Sequence, residues 1–327
     1  MGGACYACPR CRSHHFAFHS CNHKCCPRCG KAATAAWVQR ALLKQVNAPY
    51  FMVTFTLPQE LRSCFFGPFA KEFYDIFFAA TSSALAQKLA TAKGFNATVS
   101  GFLAVLHAWG QQMQFHPHIH FLVPGAGLNS NGKVVTVRKA DYLVHLPLLQ
   151  AAFRDHFRLE LDAKDWQVDP AVWTKSWGVH IRPAGSGSHA VRYLGNYVAR
   201  SVISDRRIVS FTDRTVTFLW KDRADNQFKP KTVSGTEFVR RYLRHVLPRS
   251  LRSIRYYGYC HPAAIRNRER VRMFTGSPIL FGPHPKPLPA AIPTCPSCKT
   301  ELALVARFPR SRPNRGPPNF NIRSLYR

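Results

Sequence analysis

The sequence predicts an α+β fold, a largely antiparallel sheet with flanking helices, preceded by a small cysteine-rich module. Three observations carry this. β-Branched and aromatic runs recur in tandem with interspersed helical stretches, without the regular strand–helix alternation of a parallel sheet. Seven of the 11 cysteines fall within the first 29 residues. With 46% apolar and 13% aromatic residues, the 327-residue chain can bury a sizeable core.

The elements follow in order. A helix over 37–46 leads out of the cysteine-rich module. Residues 50–56 (YFMVTFT) form a strand closed by Leu57-Pro58. Residues 69–92 read as a long helix; Lys71, Glu72 and Asp75 interrupt its apolar run, so no membrane span is expected. Strands are expected over 99–107 and 118–123, separated by a short polar stretch. Pro124-Gly125-Ala126-Gly127 ends the second, and a turn at 129–132 precedes a strand over 134–138. A helix over 146–161, a short strand over 179–182 and a helix from 189 to about 202 come next. Residues 208–211 and 216–220 suggest a hairpin, and 236–245 another helix. Beyond Thr275 the chain is rich in proline and arginine and reads as an extended tail. The domains are then 1–47, the module with its exit helix; 48–275, the main domain; and 276–327, the tail.

Charge narrows the function. Forty-six Lys and Arg against 16 Asp and Glu leave a formal +30, a self-repulsion that a polyanionic partner relieves. Nucleic acid is the first candidate. An anionic membrane is the second, but the chain offers neither a spanning segment nor a signal peptide, so a soluble cytosolic protein is expected. Residues 238–274 hold ten arginines and one acid, Glu269, interleaved with Tyr242, Tyr256, Tyr257 and Tyr259. Arginines with aromatics grip phosphates while stacking unpaired bases, which favours single strands. Neither a GxxxxGK[ST] nor a helix-opening GxGxxG occurs, so nucleotide hydrolysis is not indicated. Trp109, Trp173 and Trp177 read as core.

Cys8-Pro9-Arg10-Cys11 and Cys26-Pro27-Arg28-Cys29 are two knuckles whose two-residue spacers let both thiolates of each reach one tetrahedral Zn2+. Together they make a closed, structural four-thiolate site, with Cys21, Cys25, His19 and His23 as spare donors. Cys295-Pro296-Ser297-Cys298 is half a site with no partner downstream.

His116-Pro117-His118-Ile119-His120 carries the chemistry. On a strand His118 and His120 share a face, with Ile119 on the other, so two imidazoles meet one divalent ion. Such a pair suits zinc, manganese, nickel or iron, and an ion there with open positions would polarise a phosphodiester. Three hydrogen-bonded histidines are the bland alternative. In Arg192-Tyr193-Leu194-Gly195-Asn196-Tyr197-Val198-Ala199-Arg200, Tyr193 and Tyr197 at i, i+4 share one helix face. A tyrosine oxygen can attack phosphorus and form a phosphotyrosine, with Arg192 and Arg200 to stabilise the developing charge.

These stretches, in this order, resemble the zinc-binding, two-tyrosine HUH transposases of rolling-circle insertion sequences. Supporting motifs include HSCNHKCCPRC at 19–29, VTFTLPQEL at 53–61, LHAWGQ at 106–111, EFVRRYL at 237–243 and IRYYG at 254–258. The resemblance implies a palm-like sheet with the histidines on a central strand facing the tyrosine helix. It also implies a nuclease and strand transferase acting on single-stranded DNA at transposon ends and target. His118 and His120 would bind Mg2+ or Mn2+, with Gln111 as first candidate for third ligand and His107 as second. Tyr193 and Tyr197 would be paired nucleophiles, and Arg192, Arg200, Arg240, Arg241, Arg244 and Arg255 are candidate DNA contacts. Ala4 stands where the family has a histidine in a Gly-Gly-His run, and the chain begins close to its first knuckle. That departure keeps a second reading in view, a non-catalytic zinc-ribbon DNA-binding protein or truncated transposase relic.

Overall fold

The computed structural model describes residues 2–19, 23, 26, 30–198, 201–222, 224–278 and 293–309. The chain divides into two compact units, Met1–His23 with Pro285–Arg327, and Lys24–His284. Contacts divide near residue 24, so the helix that leads out of the cysteine-rich segment makes its contacts within the larger unit.

Strands β1 (Gly3–Ala7) and β2 (His14–Phe18) open the chain, and helix α1 (Lys31–Leu43) begins the larger unit. That unit is built on a seven-stranded antiparallel sheet. Strand β3 (Tyr50–Thr56) buries Phe51, Val53 and Phe55 completely on one face and turns Met52, Thr54 and Thr56 to the other, the period-2 pattern of a pleated strand. Helix α2 (Ala70–Thr91) follows, then β4 (Val99–Trp109) and β5 (Phe115–Pro124), a hairpin of β6 (Ala126–Leu128) and β7 (Val134–Thr136), helix α3 (Leu146–Asp162), and β8 (Gly178–Pro183). Pro147 lies in the first turn of α3, where a missing N–H costs nothing. The order is β7-β6-β4-β5-β3-β8.

Helices cover both faces. On one, α2 and α3 bring Phe73, Phe77, Phe153 and Phe157 against Phe51, Val53, Phe55, Ile119 and Phe121. Phe55 meets Phe121 and Phe153 edge-on at 5.4 and 5.1 Å. Each such buried side chain contributes roughly 1.5–3 kcal/mol of apolar burial. On the other face, Trp37 of α1 and Val191 and Leu194 of helix α4 (Ser188–Val198) pack over Leu103, Val105 and Leu122.

A second antiparallel sheet follows α4. It comprises β9 (Ile208–Phe211), β10 (Thr215–Lys221) and β11 (Phe228–Ser234), with β10 central. Helix α5 (Gly235–Leu243) starts where the Ser234 side chain accepts from the Glu237 N–H, an N-cap. Strand β12 (Ile254–Gly258) returns to pair with β4, and helix α6 (Ile265–Phe274) closes the larger unit. The expected hairpin over 208–220 is thus two strands of three. Strand β11 escaped notice because Lys229-Pro230-Lys231 reads as loop; at a sheet edge a proline is tolerated.

The tail is not simply extended chain. Strand β13 (Ala303–Phe308) pairs with β1, so the smaller unit is a three-stranded sheet β13-β1-β2. Among the described residues no helix is long and apolar enough to cross a membrane.

Candidate active site

Three strands position the histidines. β5 lies between β4 and β3, and its register sets His118 opposite His107 on β4 and His120 opposite Thr54 on β3. Directly opposed residues share a face. The face is the one covered by α4. Pro117 does not push His116 out of the strand. The register shifts beside it (His107 faces His118, Trp109 faces Phe115), and this bulge accommodates a residue without an N–H.

His107, His118 and His120 each offer a ring nitrogen, all within 4.8 Å of one another. His107 Nδ1 and His118 Nε2 are 3.0 Å apart. His118 Nδ1 lies 2.8 Å from the His116 carbonyl, which can only accept; the proton is therefore on Nδ1, and Nε2 presents a lone pair to the cluster. Thr54 Oγ1 holds His120 Nδ1 at 2.8 Å, turning Nε2 inward. His120 Nε2 and His107 Nε2 are buried without a hydrogen-bond partner. Burial, with the charge a protonated His118 would carry, pushes His120 down to about 3. Burial, and then its histidine neighbours, hold His107 well below the ordinary range. Neutral imidazoles are the ligand form, and the unpartnered, inward-turned Nε2 of His120 is what a metal ion would satisfy; the residues fit a divalent cation.

Helix α4 lies over this cluster. Ala190, Val191, Leu194 and Gly195 are its buried face, so Tyr193 and Tyr197 fall on the adjoining one, their rings 5.1 Å apart. Tyr197 lies 3.8 Å from His107, centroid to centroid, and 6.0 Å from Trp109; Tyr193 is 5.9 Å from His120 and more exposed. Gly195 sets the depth of the helix, because a Cβ there would come within 2.4 Å of Val38 Cγ2 on α1.

The other sequence-derived candidates fall differently. Gln111 sits on the turn between β4 and β5, its carbonyl accepting from Arg207 at 2.9 Å, while His107 occupies the place beside His118 and His120. Arg192 is exposed beside Tyr193; Arg200 lies outside the described residues. Arg240 and Arg241 are both paired to Glu237, at 2.5 and 2.7 Å. Arg244 lies over the Phe66 ring at 5.3 Å. Arg255 pairs with Asp75 on α2 and lies 4.0 Å from Phe78, on the sheet face opposite the histidines. Sequence reasoning missed Thr54 and also Arg62, whose Nη2 is 3.1 Å from His116 Nδ1.

Cys8 and Cys11 converge with Cys295 and Cys298, all four sulfurs within 4.8 Å, a grouping of the first knuckle with the third. Strand pairing of β1 with β13 brings the distant knuckles together, which local spacing cannot reveal. Cys26 falls in the larger unit, and Cys21, Cys25 and Cys29 lie outside the described residues.

Comparison with known proteins places this arrangement. Residues 101–269 match the family described as "Putative transposase", and residues 1–57 match the transposase zinc-binding domain. The chain belongs to this transposase family. The "Putative transposase y4qJ" of Sinorhizobium fredii is 34% identical over 281 residues, covering 79% of this chain and 70% of that protein. The transposase for insertion sequence element IS801 of Pseudomonas savastanoi pv. phaseolicola is 26% identical over 326 residues, covering 92% and 77%. No solved structure matches. The segment matched to the transposase family opens in β4 and runs into α6, so it contains all three histidines and both tyrosines.

Proposed function

We propose that this transposase nicks and joins single-stranded DNA through a 5′-phosphotyrosine intermediate, moving an insertion sequence by a rolling-circle-like route. The observation that carries the reading is the tyrosine pair lying directly against the histidine trio, with Tyr197 at 3.8 Å from His107. In this reading the seven-stranded sheet is the palm-like sheet of an HUH endonuclease. His107, in place of Gln111, joins His118 and His120 as ligands of Mg2+ or Mn2+. A bound ion would polarise a non-bridging phosphate oxygen and offset the charge that develops on it.

The chain's own groups do the rest. A tyrosine Oη attacks phosphorus; the P–O bond to the 3′ oxygen breaks, and the phenolic proton ends, in sum, on that 3′ hydroxyl. The 5′ phosphate is now esterified to the tyrosine. A 3′ hydroxyl of another strand then attacks this ester, restoring the strand linkage and the phenol. One phosphodiester is exchanged for another, so no nucleotide cofactor is consumed. Two tyrosines 5.1 Å apart allow the second cleavage while the first ester persists. Arg192 and the basic 238–274 segment supply phosphate attraction, strongly weakened by salt.

The test is a covalent-adduct assay with the full chain, Mn2+ and single-stranded oligonucleotides spanning both ends of the element. An SDS-resistant protein–DNA band is expected, lost in the Tyr193→Phe/Tyr197→Phe double variant and in His118→Ala. Salt-sensitive binding with no adduct would overturn the reading in favour of a non-catalytic DNA-binding protein.

A further inference from the structure

We infer that Cys8, Cys11, Cys295 and Cys298 hold one structural Zn2+, so that the zinc-binding module is assembled from both ends of the chain. The inference stands apart from the proposed chemistry. The segment matched to the zinc-binding domain, residues 1–57, contains only two of these four ligands.

Two turns of the same design meet here. Cys8-Pro9-Arg10-Cys11-Arg12 and Cys295-Pro296-Ser297-Cys298-Lys299 share a backbone pattern bond for bond. Arg12 N–H donates to the Cys8 carbonyl and Lys299 N–H to that of Cys295, both at 2.9 Å. Cys8 N–H donates to the Ser13 carbonyl at 2.9 Å, and Cys295 N–H to that of Thr300 at 2.8 Å. The residue after each knuckle takes a left-handed conformation, φ 57° at Arg12 and 61° at Lys299. Holding two non-glycine residues there is costly, and its repetition in both turns points to a shared constraint.

The sulfurs supply that constraint. Cys8 Sγ is 3.3 Å from Cys298 Sγ, and Cys11 Sγ is 3.6 Å from Cys295 Sγ and 3.9 Å from Cys298 Sγ. These gaps are too long for a disulfide. They bracket the ~3.8 Å between vertices of a tetrahedron whose arms are zinc–thiolate bonds of ~2.3 Å. Cys8 and Cys295 are buried, with Leu302 and Tyr6 against them. The surroundings supply polar support to the sulfurs: Ser13 Oγ lies 3.0 Å from Cys11, His15 Nε2 3.6 Å from Cys295, and Thr300 Oγ1 3.5 Å from Cys298. Four soft donors in a closed shell leave no open position, the signature of a structural site.

The framework explains the long reach. Knuckle one follows β1 directly and knuckle three precedes β13, and these strands pair from Gly3 with Phe308 to Ala7 with Ala303. Ligands 284 to 290 residues apart are therefore brought together by the sheet, and the ion in turn locks the ends of that sheet.

The experiment measures zinc per chain in the purified full-length protein and in three variants: Cys8→Ser/Cys11→Ser, Cys295→Ser/Cys298→Ser, and all four. Each double variant is expected to lose one zinc, and the quadruple variant the same single zinc, because the two pairs share it. Cys298→His, which keeps a ligand, is expected to retain the ion and separates ligation from misfolding. Cobalt substitution gives a second readout, a tetrahedral thiolate spectrum that disappears in both doubles. Full zinc in Cys295→Ser/Cys298→Ser, or two ions lost in the quadruple variant, would overturn the inference.

Discussion

The histidine cluster and the cysteine cluster are both assembled by antiparallel strand pairing, yet they differ in reach and chemistry. His107, His118 and His120 come from neighbouring strands of one sheet, 11 residues apart at the β4–β5 contact. The cysteines come from opposite ends of the chain. Three nitrogens around a metal ion would leave positions for a substrate, and α4 places two tyrosines beside them, whereas four sulfurs would surround an ion and leave none. The difference teaches that a reactive centre draws on the rigid middle of a sheet, whereas a stabilising one can be spent on joining distant segments.

The largest effect that sharpens this contrast separates His107 from Gln111. His107→Ala is expected to lower Mn2+-dependent adduct formation by at least about 100-fold, the usual cost of losing transition-state charge stabilisation, while Gln111→Ala leaves it unchanged. Equal losses in the two would return Gln111 to the ligand set.

Next comes Thr54, which touches the centre only through His120. Metal coordination at Nε2 requires Nδ1–H to donate to Thr54 Oγ1, so Thr54→Val is expected to weaken Mn2+ binding about 10–100-fold and Thr54→Ser to preserve it. Titration followed by manganese EPR decides; identical affinities for valine and serine would reduce Thr54 to packing.

Gly195→Ala pits two effects against each other. Alanine favours the helix by about 1 kcal/mol, but the contact at 2.4 Å with Val38 is overpacking, typically about 1–3 kcal/mol. A net loss of about 1 kcal/mol in chemical denaturation is expected, relieved by Val38→Ala in the same chain. A stabilised Gly195→Ala would mean α4 is free to shift.

The smallest is a pH effect on metal-free protein. His120 has its folded-state value pressed from the ordinary 6.5 to about 3, so between these the unfolded chain binds the extra proton. The associated stability is present above pH 6.5 and is lost as pH falls toward 3. His120→Asn is expected to flatten part of that decline in melting temperature; parallel curves would place the acid sensitivity elsewhere.

Elements with a strong local period were legible in the residues alone. The alternation in β3, the i, i+4 tyrosines on α4 and the paired histidines on β5 all read correctly because each is written within ten residues or so. What stayed hidden is register. Thr54 opposite His120, His107 opposite His118 and β12 beside β4 are facts about which strands pair, and nothing in each strand's composition states its neighbour. Cys295 and Cys298 looked like half a site for the same reason.

A clasp between the two ends also orders events during synthesis. Cys298 is 287 residues downstream of Cys11, a delay of roughly a quarter of a minute to a minute at about 5–20 residues per second on the ribosome. Throughout that interval the first knuckle is an open pair of thiols, and the whole larger unit is translated before its counterpart emerges. Metal capture is thus a late checkpoint in biogenesis, and a nascent chain interrupted before residue 298 would leave the ribosome without it.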